Sequence, residues 1–549
     1  MAAVTDDWVA RTAADVVALA QERYPGIPPT CASGISPSGN VHLGNLRELM
    51  TPHLVADEIR RMGGPCRHIL SWDDYDRFRR VPEGLGLPDE FKENVGRPLT
   101  SVPDPVGDCH PNWAEHFKAP LKEALHRLGV EVTEISQTQM YTSGAYTEQI
   151  IAAMRDRAEI GAVIRRYQTR RTEVDDEERQ SEYFPFKPYC ETCGRDDTTV
   201  TAFNDDTAEI SYTCACDDNG KAHGPVPISA VHGKLVWKVD WPMRWAYERV
   251  TFEPAGVDHS SPGSSYSVGE HLVEEIFGGK MPLHFQYSFV GTSGRAKMSS
   301  SAGGAPTPLD ALEIFEAPLL RWLYARKRPS ESITLAFGDE VGRIYDEWDA
   351  LTRKVADGTA PPAQAAVYAR SACTADGKLP QTERPLPFRT LASISDITAG
   401  HEEQELRILR DLTPEAPITS LDLVRPRLDC AQAWVTEYVR PQDRTQVREE
   451  PDTELLGSLT GQDRQAVELL TSEMGKSWSL DGLTTLVYGI PKLIRGLPIS
   501  APPTAELKQA QRTWFILLYQ LLISRDTGPR LPTLLLALGQ EKVRSLISP

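Results

Sequence analysis

Across residues 41–62 apolar side chains recur at helical spacing, with Leu43, Leu46, Met50, Leu54 and Ile59 on one face. Gly63, Gly64 and Pro65 end that run. Residues 30–35 are short and small-sided, as in a buried strand, and residues 66–70 read as the next strand, leading into Trp72, Asp73 and Asp74. Strand, turn, helix and strand in this order make a βαβ unit of a parallel sheet. Ligands of such sheets bind past the carboxyl ends of the strands, so residues 36–42 and 73–76 are expected to share one crevice.

The rest of the chain reads more coarsely. Residues 8–22 form an amphipathic helix; residues 79–120, rich in Pro and Gly, read as loops; residues 120–170 return to helix, strand and helix. Residues 180–225 look irregular, and a sheet pattern resumes near Leu235 and runs to about residue 304. Residues 306–328 are strongly helical, and Gly358, Pro361 and Pro362 mark a linker. Beyond it nearly every element is a Leu-rich helix, without internal repeat or low-complexity tract. The longest apolar run, residues 514–523, is interrupted by Gln520 and is too short to span a bilayer, so no membrane is expected.

A length of 549 residues implies two to four domains. The first residues lack the basic and apolar pattern of a signal peptide, which makes the cytoplasm the expected location. A net charge of -18 argues against nucleic-acid binding over the whole surface, because phosphate contacts need local Lys and Arg. Two basic clusters run against that average: Arg165, Arg166, Arg170 and Arg171, then Arg321, Arg326, Lys327 and Arg328. Solvated helix faces explain such clusters equally well.

Two loops carry candidate nucleotide chemistry. Ser36, Ser38 and Gly39 make a small-residue turn into the helix that holds His42, Gly44 and Asn45. Such a turn lets backbone approach a phosphate, and the helix start adds free N–H groups and a positive dipole end. About 250 residues later, Arg295 and Lys297 supply cations and Ser299, Ser300 and Ser301 supply hydroxyls on a Gly-rich loop able to close over phosphates. Alone, each is also an ordinary surface turn; together they suggest one nucleotide site straddling a large insertion.

Metal ligands stand out in that insertion. Cys190 and Cys193, then Cys214 and Cys216, form two close pairs among nine cysteines, and four thiolates suit tetrahedral Zn²⁺ in a reducing compartment. Asp104, Cys109, His110 and His116 form a mixed set that also suits zinc, with Asp108 a rival ligand, although plain surface polar residues give the same pattern.

The two loops resemble the paired signatures of class I aminoacyl-tRNA synthetases: His42, Leu43, Gly44 and Asn45 for the first, Lys297 to Ser301 for the second. Residues 32–45, 71–80, 240–245 and 256–259 narrow the resemblance to the class I lysyl-tRNA synthetases, and it extends over most of the chain. It implies an α/β fold, with a Rossmann-like parallel-sheet catalytic domain over residues 1–305 and a zinc-bearing insertion at about 100–232. A connecting helical domain over 306–358 and an all-α helix-cage anticodon-binding domain over 359–549 complete it.

The resemblance further implies that ATP, with Mg²⁺, activates lysine as an adenylate and that the aminoacyl group passes to the 2′-hydroxyl of the terminal adenosine of tRNA(Lys). His42 and Asn45, with Ser38, Gly39 and Gly44, would face the ATP phosphates; Gly256 and Asp258 would meet the adenosine; Lys297, Ser299 and Ser300 would stabilise the leaving pyrophosphate. Gly34, Ser36, Asp73, Asp74, Trp237, Trp241, His259 and Tyr266 would receive lysine, with acids for its ammonium and aromatic walls for its stem. The common class I signature has a second lysine where this chain has Ser300, which leaves Lys297 to carry the charge of that loop. The Asp104 cluster resembles a second zinc site of archaeal lysyl members, with one extra residue before Cys109. Trp434, Tyr438, Arg440, Trp478 and Tyr488 are candidates to stack anticodon bases or to pack a core. A monomer is expected.

Three alternatives share parts of this pattern. A paralogue could adenylate an amino acid without charging tRNA, a zinc-bearing RNA-binding protein could lack catalysis, and a glutamyl enzyme would share the architecture. The acids of residues 73–76 suit a cationic substrate and would repel a carboxylate.

Overall fold

The computed structural model describes residues 7–82, 85–107, 109–167, 183–216, 222–260, 264–292, 305–502 and 504–548. Helix α1 (Trp8–Arg23) precedes strand β1 (Thr30–Ile35), helix α2 (Leu43–Arg61) and strand β2 (Arg67–Trp72). The periodic face of α2 is buried throughout, with Leu43, Leu46, Met50, Leu54 and Ile59 at most 1% exposed. α3 (Trp113–Arg127) then leads to β3 (Thr133–Ser136), so the stretch expected as loops up to residue 120 already contains the start of a helix, capped by Asn112.

β1, β2 and β3 pair in parallel, with Ile35 opposite Trp72 and Trp72 opposite Ser136. On the other side of β1, Phe252 bridges Cys31 and Leu283 in parallel. Backbone bonds from Ala32 N to Phe252 O and from Glu253 N to Leu283 O extend the hydrogen bonding. The spatial order is therefore β3, β2, β1, the 252 segment and the 283 segment. The chain reverses its direction of sheet growth between β1 and the 252 segment, which is the switch point at which doubly wound sheets bind ligands.

Between β3 and the 252 segment come α4 (Gln137–Thr142), α5 (Thr147–Arg155), α6 (Arg157–Arg166) and β4 (Phe186–Pro188). β5 (Thr198–Asn204), β6 (Glu209–Cys214) and β7 (Ala222–Pro227) follow. β5, β6 and β7 form an antiparallel sheet, so the cysteine-bearing region is not irregular. Its alternation was hidden because Val200, Ile210 and Tyr212 are the few apolar side chains it buries. After β8 (Gly233–Leu235) comes helix α7 (Trp237–Glu248), where a continuous sheet pattern was expected; Trp237, Trp241 and Trp245 recur at i, i+4 and i+8 on it. Short parallel pairs follow: β9 (Ala255–Gly256) with β10 (Gln286–Tyr287), and β11 (Val290–Thr292) with β12 (Ile333–Leu335).

Two compact units account for the chain. The first comprises residues 1–312, 317–335 and 351–379; the second comprises 313–316, 336–350 and 380–549. The segment 306–358 is divided between them. The second unit is helical where described, from Phe388–Thr398 to Gln540–Ile547, around a core of Leu470, Val487, Leu518, Leu522 and Leu535. Within it, Arg427 is buried against Glu316 (2.8 Å) and Asp349 (2.9 Å). Trp434 also serves packing there: its indole donates to Phe337 O and its ring meets Phe388. No described helix is long and apolar enough to cross a membrane.

Candidate active site and metal centres

Past the carboxyl ends of β1 and β2 lies a cavity of about 470 Å³, in the first unit. Gly34, Ser36, Ser38, Gly39, Asn45, Asp73, Trp237, Trp241, Gly256 and His259 all line it. Residues far apart in sequence meet there because the switch point opens the sheet between β1 and the 252 segment.

α2 begins at one edge of the cavity, where Asn45 is part of the lining. His42 is its N-cap rather than a first-turn residue: His42 Nδ1 accepts from Gly44 N at 3.1 Å, and Asn45 Oδ1 accepts from His42 N at 3.3 Å. This reciprocal box satisfies two of the free N–H groups at the helix start and fixes both side chains. Burial lowers the pKa of His42, keeping it neutral near pH 7, so Nε2 carries the proton while Nδ1 accepts. A Cβ on Gly44 would lie 2.8 Å from His42 Cε1, so a glycine here lets the imidazole fold back over the helix start. Arg47 holds α2 in place by donating to Ser288 O, Arg328 O and Pro329 O, each at 2.9 Å.

The acidic strand end divides into two fates. Asp73 lines the cavity, paired with Arg244 Nη1 at 2.7 Å and with Lys234 Nζ 3.8 Å away. Burial favours its neutral form, but those two cations hold its pKa below the usual value. Asp74 does not line the cavity. Its oxygens accept from Lys118 Nζ and Ser136 Oγ (2.7 Å each), Thr138 N (2.8 Å) and Thr138 Oγ1 (3.1 Å), and it is fully buried. The expectation that Asp74 meets substrate therefore gives way to a structural role tying β2 to β3 and α4.

Lys234 also contacts Asp76 and, at 3.5 Å, Asp240, to which Arg244 is bonded as well. Burial depresses the Lys234 ammonium, yet Asp76, Asp240 and Asp73 outweigh this and raise its pKa. Three carboxylates thus face two cations. Lys234, Asp240 and Arg244 were missed as site residues, although Asp240 and Arg244 form an i, i+4 pair legible on a helix.

Aromatic walls complete the cavity. Trp237 and Trp241 stack with ring centres 5.1 Å apart, and Trp237 Nε1 is buried without a partner among the described residues. Tyr266 sits behind this wall, stacked on His284 and donating to Pro282 O at 3.2 Å; it does not line the cavity. Asp258 is outside the lining too, in the short helix Val257–Ser260 just after Gly256. Four carboxylates that sequence reasoning missed, Glu48, Asp196, Glu248 and Glu253, also line the cavity. Lys297, Ser299 and Ser300 lie outside the described residues, as does Asp108.

Cys190, Cys193, Cys214 and Cys216 converge, with Cys190 Sγ to Cys216 Sγ 3.8 Å and Cys193 Sγ to Cys214 Sγ 3.7 Å. A tetrahedron with 2.3 Å metal–sulfur bonds has edges of about 3.8 Å, so the donor set fits zinc. Asp104, Cys109, His110 and His116 converge as well: Cys109 Sγ is 3.1 Å from Asp104 Oδ2 and from His110 Nδ1, and His116 Nδ1 is 3.1 Å from Asp104 Oδ1. Amides of Val106 and His110 orient the Asp104 carboxylate at 2.8 and 2.6 Å, the outer support that metal-binding carboxylates commonly have.

Residues 6–373 match the family model described as tRNA synthetases class I (K). The chain is 55% identical to the lysine–tRNA ligase of Streptomyces coelicolor, across 99% of this chain and 98% of that protein. Identity to the lysine–tRNA ligase of Thermococcus kodakarensis is 34%, and to that of Pyrococcus horikoshii 33%, each covering 93% of this chain and 94% of the relative. With the capped start of α2, the cavity at the switch point and these relatives in agreement, the chain belongs to the class I lysyl-tRNA synthetase family.

Proposed function

We propose that this enzyme attaches lysine to tRNA(Lys) in two steps, through a lysyl-adenylate and then transfer to the 2′-hydroxyl of the terminal adenosine. The observation that carries the reading is the cavity itself, which brings the N-terminus of α2 and its small-residue turn together with buried acids and stacked tryptophans. The chemistry needs positioning and charge stabilisation more than covalent catalysis.

In this reading the backbone at Ser38, Gly39 and Gly44, with Asn45 and the protonated Nε2 of His42, orients the ATP phosphates, and Mg²⁺ enters with ATP as a counter-charge. Gly256 and Asp258 hold the adenosine. Lys297, Ser299 and Ser300 close over the leaving pyrophosphate. Gly34, Ser36, Asp73, Trp237, Trp241 and His259 hold lysine, with Tyr266 supporting the aromatic wall from behind; Trp237 Nε1 offers a donor for its carboxylate. Both metal clusters hold zinc in structural roles, which favours a reducing compartment such as the cytoplasm. The helical second unit reads the anticodon.

Charging of total tRNA with each of the twenty labelled amino acids tests the reading. Lysine alone is expected to be attached. Charging with another amino acid, or with none, overturns it.

A further inference from the structure

At the amino ends of β1 and β2, away from the cavity, two thiols lie in contact. Cys31 Sγ on β1 is 3.8 Å from Cys66 Sγ, and Cys66 ends the turn of Gly63, Gly64 and Pro65 just before β2. Neither cysteine lines the cavity. Cys31 is fully buried in a cluster with Val16, Val55 and Phe252, whereas Cys66 is half-buried at its edge. The sulfur spacing matches that of the four converging cysteines. Among the described residues, however, this pair belongs to no group of three or more possible metal ligands, and two donors do not fill a tetrahedral site. Two adjacent thiols without a metal have one distinctive chemistry, which is to bond to each other.

We propose that Cys31 and Cys66 form a peroxide-responsive dithiol, in which Cys66 is oxidised first and Cys31 then closes a disulfide with it. The inference stands apart from the lysine reading above and assigns a modification site outside the catalytic cavity.

The two sulfurs are placed for different parts. The Cys31 thiol, as hydrogen-bond donor, lowers the pKa of Cys66 against the effect of burial, and Arg60 at the end of α2 adds to this. Arg60 Nε also donates to Cys66 O at 3.2 Å, which holds the guanidinium close. Burial raises the pKa of Cys31, which stays a thiol. Cys66 is therefore both the better nucleophile and the sulfur that a small oxidant reaches. Its thiolate attacks one oxygen of hydrogen peroxide: the S–O bond forms, the O–O bond breaks, and the departing hydroxide takes a proton to become water. Cys31 Sγ then attacks the sulfenic sulfur: the S–S bond forms, the S–O bond breaks, and the Cys31 proton leaves with the hydroxide as a second water. Cys31 pairs with His68 in the sheet register, so Cys66, two residues earlier, meets it on the diagonal. The packed core holds Cys31 in place, and covalent contact draws Cys66 inward on its turn, which is exposed at Gly63 and Pro65. Closure spares Cys66 from sulfinic acid, a step that thiols do not reverse. In a reducing compartment the disulfide is transient, as redox-sensing bridges are.

The test treats the full-length protein, purified with zinc, with about one equivalent of hydrogen peroxide per chain. Free thiols are then blocked with iodoacetamide and the chain is digested without reductant. Mass mapping should recover Cys31 and Cys66 in one cross-linked pair of peptides, two hydrogens lighter than the reduced pair, and dithiothreitol should restore both thiols. Before oxidation, iodoacetamide should alkylate Cys66 at least about tenfold faster than Cys31, as the more exposed and more acidic thiol. In Cys31→Ala, Cys66 has no resolving partner and should accumulate sulfinic acid severalfold above the wild type. In Cys66→Ser, Cys31 should stay a free thiol at the same dose. A wild type whose Cys66 becomes sulfenic or sulfinic acid while Cys31 remains a thiol overturns the inference. So does a Cys66 that does not react, a link from either residue to a different cysteine, or faster alkylation of Cys31. Should Cys31→Ala not fold, the wild-type map and Cys66→Ser still decide.

Discussion

Lys118 Nζ sits 2.7 Å from Asp74 Oδ2, with the two side chains 4% and 0% exposed. The pair fixes the end of β2 against α3, and Ser136 and Thr138 bond the same carboxylate from β3 and α4. Lys118→Met would leave a buried carboxylate without its cation, which typically costs about 3–5 kcal/mol. Its denaturation midpoint should fall with an unchanged m-value, and adding Asp74→Asn should recover part of the loss. The lysine KM of the folded Asp74→Asn protein should stay near wild type. A raised KM without lost stability would return Asp74 to the substrate site.

His42 caps α2, and the phosphate role proposed for its ring separates from capping by substitution. Asparagine is as good an N-cap as any residue, so His42→Asn should keep the melting temperature within a few degrees. Loss of the ring should slow lysine-dependent pyrophosphate exchange by about 10²–10³, as for removal of one transition-state donor. His42→Ala should show the same slowing plus about 1 kcal/mol of lost stability. Equal exchange rates in the His42→Asn variant and the wild type would mean that the ring only caps the helix.

The parallel unit and the start of α2 were legible because both are local: β1, α2 and β2 each announce themselves in spacing and punctuation. The helix α7 was misread as sheet because Trp, Val and Tyr favour strands intrinsically, while its i, i+4 aromatic stripe decides the outcome in packing. Asp74 and Asp73 are neighbours with opposite fates since alternate residues leaving a strand point to opposite faces, a fact that the run of acids conceals. Glu48 was overlooked on an otherwise ordinary helix; nothing in its neighbours reveals that Gly34 and Tyr287 will enclose it. The convergence of the four cysteines was legible because thiol pairs at close spacing have few other uses.

Metal content separates the two clusters. The wild type should carry two zinc ions per chain by elemental analysis, and Cys190→Ser and Cys109→Ser should each carry one. Chelation should lower the melting temperature, since a site of this kind holds its own segment folded. Pyrophosphate exchange should suffer more from loss of the four-cysteine site, whose flanking Tyr189 and Asp196 line the cavity. Two ions surviving in Cys109→Ser would remove the mixed cluster from the metal sites.

Stability should fall with pH through the buried acids of the cavity. An unfolded glutamate ionises near pH 4.3, whereas Glu48 in the fold is pushed up to about 8 by burial and by Glu253. Between these values the native state keeps a proton that the unfolded chain has released, so each step up in pH favours unfolding. The native advantage is complete below about pH 4 and lost as pH rises through about 8. Other groups titrate over the same range, so the informative quantity is the difference between wild type and Glu48→Gln. That difference should move in favour of the variant by on the order of 4 kcal/mol between pH 5 and 8.5, read as unfolding midpoints in denaturant. A flat difference curve would mean that Glu48 ionises as freely in the fold as out of it.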